Sequence, residues 1–145
     1  VGCGAAFGAK QGRGSSLTIG GRKMTQPSYW KSYIESAGLV GKCTTIPEGD
    51  DLSGLGAEIN WFDDEGSRSE KEDFYPGIAV AKDGFVPVGG CDMGSGDPYF
   101  VCVQDGVGGP LYRIYHDSVR EDGYDREDAV AIVLQDYRTI SKFIA

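Results

Sequence analysis

The chain carries one histidine, two methionines and four cysteines, none of them paired as CxxC. One histidine cannot build a metal site alone, and the missing CxxC removes zinc-ribbon and thiol-redox motifs. No GxSxG elbow supplies a nucleophilic serine, and no GK[ST] follows the N-terminal glycines, so the hydrolase and phosphate-loop signatures are both missing. No run of about 18 apolar residues occurs, so no transmembrane helix is expected. Basic residues are also few: 14 Lys and Arg against 22 Asp and Glu, a net charge of -8. Nucleic acids and anionic membranes are bound by Lys and Arg that replace counterions, so this composition argues against both. It fits a basic partner, whose encounter complementary charge would speed, and it also serves solubility.

What the chain has in excess is glycine, 23 of 145 residues, well above the usual ~7%. The glycines cluster at 2–21 and 84–109 without a Gly-X-Y period, which excludes collagen. Residues 1–21 read as a loop-rich, mobile or incomplete entry with a short strand over Ser16–Ile19, and 22–145 as a single domain. The cysteines, at 3, 43, 91 and 102, read as free, mostly buried thiols of a cytoplasmic protein. Val1-Gly2-Cys3 also matches the end of a lipoprotein signal with Cys3 lipidated.

The pattern predicts a helix over Pro27–Gly38, capped by Thr25 or Ser28, with Trp30, Tyr33, Ile34 and Ala37 on one face and Trp30 as a core anchor. Residues 47–56 are turn-rich, and Ala57–Phe62 alternates as a strand. Asp63–Asp73 mixes both charges and reads as a solvated loop. Ile78–Ala81 and Phe85–Val88 are expected as strands joined by an Asp83-Gly84 hairpin turn. A glycine-rich link over Gly89–Pro98 follows. Tyr99–Val103 and Leu111–Tyr115 then continue an antiparallel meander. Residues 129–134 are expected as a strand, followed by a short helix over 137–144 capped by Asp136.

Two features carry chemistry. His116 with Asp117 and Asp97 is the best candidate for a hydrolase centre; the competing reading is a structural histidine bonded to backbone. The stretch Asp92-Met93-Gly94-Ser95-Gly96-Asp97 offers carboxylates to Ca²⁺ but lacks the twelve-residue EF-hand and its closing Glu. A tight turn with positive φ at glycine is the alternative. No resident metal or cofactor is expected.

Phe85-Val86-Pro87-Val88-Gly89, then Gly94-Ser95-Gly96-Asp97-Pro98-Tyr99-Phe100, Gly109-Pro110-Leu111-Tyr112 and Tyr115-His116-Asp117 resemble the SUKH superfamily. That group includes a fungal regulator of cell-wall synthesis and bacterial immunity proteins. Tyr75-Pro76-Gly77 and Phe143-Ile144 fit the same pattern. The match covers about 35 residues closely and 75–145 in outline. The family's opening helix with a Glu, its Leu-Pro step and its Asn-Gly are replaced here by, at most, Ile46-Pro47-Glu48. The resemblance implies an α+β fold, a bent, mostly antiparallel β-sheet with helices packed against it. It implies a non-enzymatic protein-binding role, as an immunity protein that occludes a cognate polymorphic toxin domain, nuclease- or deaminase-like and basic. The candidate contacts are Asp63, Asp64 and Glu65 on the charged segment, Asp92 and Asp97 on the glycine turn, and Tyr99 and Tyr112 as outward aromatic anchors. The alternatives are a small hydrolase centred on His116 and a calcium-binding or envelope structural domain.

Overall fold

The computed structural model describes residues 18–19, 22–91 and 96–144, with backbone alone for 18–19 and 22–23. The fold is α+β: a six-stranded antiparallel sheet curled into a half-barrel, with helices against it. A two-stranded ribbon, β1 (Thr18–Ile19) with β2 (Arg22–Lys23), comes first, then α1 (Ser28–Ser36). The sheet contains β3 (Cys43–Ile46), β4 (Ala57–Trp61), β5 (Phe85–Cys91), β6 (Tyr99–Cys102), β7 (Leu111–Ile114) and β10 (Val130–Leu134). Their order is β10-β7-β6-β5-β4-β3, so strands consecutive in the sheet's chain order lie side by side. Two helices, α2 (Asp64–Asp73) and α3 (Gly77–Val80), are inserted between β4 and β5. A small hairpin, β8 (Val119–Arg120) with β9 (Gly123–Tyr124), and the single turn α4 (Arg126–Ala129) lie between β7 and β10.

Central strands β5, β6 and β7 are apolar at nearly every position because both faces of the sheet are covered. On one face Val86, Val88, Tyr99, Val101 and Leu111 meet Trp30 and Ile34 of α1 and Tyr137 and Ile140 of the C-terminal 3₁₀ segment Tyr137–Phe143. Trp30 lies 5.5 Å from Trp61 and 5.4 Å from Tyr137 between ring centroids, within the range of favourable aromatic pairs. On the other face Phe85, Phe100, Tyr112 and Ile114 pack with Val80 of α3, Val119 and Ala129.

The α1 stripe, the strands at 57–61, 99–102, 111–114 and 130–134, and the Asp136 cap on the C-terminal helix agree with the sequence reading; the Asp136 side chain accepts from Arg138 N at 2.9 Å. Ser16–Ile19 is a strand at Thr18–Ile19, and residues 16 and 17 lie outside the described residues. The α1 cap is different: Pro27 is the N-cap residue, without a side-chain hydrogen bond. Thr25 instead gives its N–H to Asp64 at 2.9 Å.

Three segments depart from expectation. Asp63–Asp73 is no loop, for α2 fills it. Asp63 caps the helix through Gly66 N at 2.8 Å, Asp64 and Glu65 occupy its first turn and Lys71 its last, and Arg68 bonds back to Asp64 and Glu65. Those placements satisfy the end donors and complement the helix dipole. Ile78–Ala81 is helical, with Val80 turned into the core and Ile78 left outside. Gly84, at φ +90, closes the 3₁₀ turn Ala81–Asp83 and starts β5, so it is a helix-to-strand stop and not a hairpin turn. β5 also runs on through Gly89, Gly90 and Cys91 instead of ending at Val88. Gly89 pairs with Trp61, and a Cβ there would sit 2.4 Å from Ile59 Cγ2, so only glycine lets β4 approach so closely.

Candidate functional site

The proposed contact residues separate once they are placed. Asp63, the N-cap of α2, and Glu65, on its first turn, are exposed. Asp64 is buried and accepts Thr25 N, Gln26 N at 2.8 Å and Arg68 Nη2 at 3.1 Å, so it ties the entry of α1 to α2. Asp97 is 7% exposed and accepts both His116 N at 2.9 Å and His116 Nδ1 at 2.6 Å. Tyr99 and Tyr112 are 0% and 5% exposed, so neither is an outward anchor. Their sheet has a covered face on each side, and alternation sends each tyrosine into one of the two cores. Asp92 lies outside the described residues, as does most of the stretch weighed for Ca²⁺.

The hydrolase candidates do come together. His116 Nδ1 faces Asp97 at 2.6 Å and Nε2 faces Asp117 at 3.1 Å. Among the described residues the ring's partners are these two carboxylates. His116 is therefore bonded to side chains, where a backbone partner had been expected for the ring. Among the described residues no three His, Cys, Asp or Glu side chains are grouped to hold a metal ion, and no helix is long and apolar enough to cross a membrane.

An open cleft of ≈ 720 Å³ lies between the turn after α3, the end of β6 and the β8–β9 hairpin, lined by Lys82, Asp83, Cys102, Asp105, Tyr124 and Arg126. The Tyr112 hydroxyl donates to Asp105 at 2.7 Å and the Tyr124 hydroxyl to Asp83 at 2.5 Å. Burial, reinforced by those carboxylates, raises both phenols well above their ordinary range, so they remain donors. Arg126 rests its guanidinium 5.0 Å over the Phe85 ring, a cation–π placement. Burial also raises the Cys102 thiol, which keeps it protonated at neutral pH and a poor nucleophile. Among the described cysteines Cys43 is exposed, Cys91 is partly so and Cys102 is buried, which corrects the expectation of mostly buried thiols.

No family model, curated protein or solved structure matches the chain.

The sequence reading passed over one surface. Glu72, Asp73, Phe74 and Tyr75 are consecutive exposed residues at the end of α2, and Ile78 is exposed one turn later. The signal was present as two adjacent aromatics between an acidic segment and Pro76-Gly77. It was obscured because Asp63–Asp73 read as loop and Ile78 as strand.

Proposed function

We propose that this chain is a non-enzymatic protein-binding module that neutralises a basic partner, of the immunity type implied by its resemblance to the SUKH superfamily. The partner is a nuclease- or deaminase-like toxin domain, met in the cytoplasm, and the mode of action is occlusion of its active surface. The observation that carries this reading is the distribution of charge. Arg68, Arg113 and Arg138 are engaged with Asp64, Asp51 and Asp136 of the same chain. Glu48, Asp50, Glu72 and Asp73 are exposed, and among the described residues exposed acids outnumber the exposed cations Lys42, Lys82, Arg120, Arg126, Arg138 and Lys142. A surface of that sign attracts a basic protein and competes for a site built to hold phosphate. The test is affinity capture from the source organism at low and high salt, then titration of the captured partner's activity. The expected partner is basic, is retained less at high salt, and loses its activity at one equivalent of this chain. Recovery of no protein at either salt, or full activity in excess chain, refutes the reading.

A further inference from the structure

We infer that the corner joining α2 to α3 is the docking surface for that basic protein, with Phe74, Tyr75 and Ile78 as its apolar anchors. The inference rests on the protein-binding reading and locates it. Phe74, Tyr75 and Ile78 are 53%, 42% and 39% exposed. Ile78 N donates to Phe74 O at 2.9 Å, which brings all three side chains onto one turn. The turn is firmly seated: Pro76 and Gly77 are buried, and a Cβ on Gly77 would lie 2.3 Å from the Glu70 carbonyl oxygen. The next residues lead to Val80, which is wholly buried in the second core. The aromatics are thus presented on a rigid support, which lowers the ordering cost of binding. Tyr is among the residues enriched where a few side chains dominate an interface, and aromatics are enriched at interface cores.

Charge decides the occupant. Glu72 and Asp73 are exposed immediately before Phe74. The neighbouring cations are Lys71, partly covered, and Lys82, exposed beyond Ile78. The chain as a whole carries -8. A second copy docked through this corner about a two-fold axis would set each copy's Glu72 and Asp73 near the other's, a like-charge contact. A nucleic acid would meet the same carboxylates. A basic protein, with an apolar pocket beside Lys or Arg, satisfies both the anchors and the acidic rim.

The test places a photoreactive benzophenone amino acid at position 75, and in a separate protein at the exposed position 52, in cells of the source organism. Mass spectrometry then identifies the adducts. An adduct from position 75 with a protein of isoelectric point above about 9 is the expected result. An adduct from 52 alone, or a chain dimer from 75, overturns this surface while leaving partner binding intact. No adduct from either position, with no captured partner, removes both readings. With the captured partner in hand, Phe74→Ala/Tyr75→Ala is expected to weaken binding by roughly 30-fold or more, the hot-spot scale, with an unchanged Tm. A change under about threefold overturns the assignment.

Discussion

Arg113 is a buried charge held by an equally buried carboxylate, and its replacement by Met tests the packing directly. Its side chain is 2% exposed and that of Asp51 is 0% exposed, with Nη2 3.0 Å from Asp51 Oδ2. The same nitrogen donates to Gly56 O at 2.6 Å, and the guanidinium lies 5.1 Å from the Tyr99 ring centroid. Asp51 in turn accepts Ser53 N at 2.7 Å and Ser53 Oγ at 2.6 Å, and Leu52 N bonds Val133 O. One ion pair thus pins the 47–56 loop to the sheet. Arg113→Met leaves an uncompensated buried carboxylate, and breaking one side of such a pair costs about 3–5 kcal/mol. With a urea slope of about 2 kcal/mol per molar, the unfolding midpoint should fall by about 2 M. Adding Asp51→Asn removes the stranded charge but retains an acceptor for Ser53. The double variant should therefore lose only about 1–3 kcal/mol, the cost of leaving the Gly56 carbonyl unpaired. Urea titration followed by fluorescence of Trp30 and Trp61 measures all three proteins, and amide exchange at Leu52 reports the loop. A single variant that loses less than about 1 kcal/mol, or a double variant no better than the single, refutes the reasoning.

Gly89→Ala should destabilise by about 1–3 kcal/mol because its Cβ collides with the branched Ile59 side chain; thermal unfolding checks this. Asp64→Ala removes the acceptor for Thr25 and Gln26 N–H groups, for a cost of about 1–3 kcal/mol and faster amide exchange at residues 25 and 26. Burial raises the Glu70 carboxyl above its ordinary value of 4.5. Its ionised form is thus disfavoured in the fold: there is no penalty below the unfolded pKa, and stability is lost as pH rises through the folded one. Glu70→Gln should accordingly raise Tm at about pH 7 and leave it unchanged at about pH 3.

The central sheet was legible because Phe85–Val88 and Tyr99–Val103 are unbroken apolar runs, and α1 because Trp30, Tyr33, Ile34 and Ala37 recur at helical spacing. Those same unbroken runs signal burial on both faces, which is why Tyr99 could not serve as an outward anchor; Tyr112 is lost to the second core, under Phe85 and Phe100. The α2 helix was illegible for the opposite reason. Its buried positions are Asp64 and Ser67, so its inner face carries hydrogen bonds where periodicity analysis looks for apolar residues. β3 has four residues with only Thr44 and Ile46 buried, too short for alternation to register. Acidic residues were the weakest guide to the site. Asp63 and Glu65 are exposed with partners on their own helix, Gly66 N and Arg68, while Asp64 and Asp97 are buried against donors from distant segments, up to 39 positions away.

The strand order has a consequence for how the chain assembles. From β3 to β7 each strand pairs with the one just before it, so the meander can zip forward, with its longest closure at the β4–β5 connection that carries α2 and α3. α1 stands apart from that sequence. Tyr29 reaches Cys102 O, and Tyr33 reaches Arg138 O and Ser141 Oγ, across separations of 73, 105 and 108 residues. The first helix therefore waits for the last segment before its face of the sheet can close. Tyr33→Phe should then hasten unfolding while leaving the folding rate nearly unchanged in stopped-flow measurements, the mark of a contact made after the barrier. In a nascent chain the Trp30 face would stay open until residues 137–144 had been synthesised.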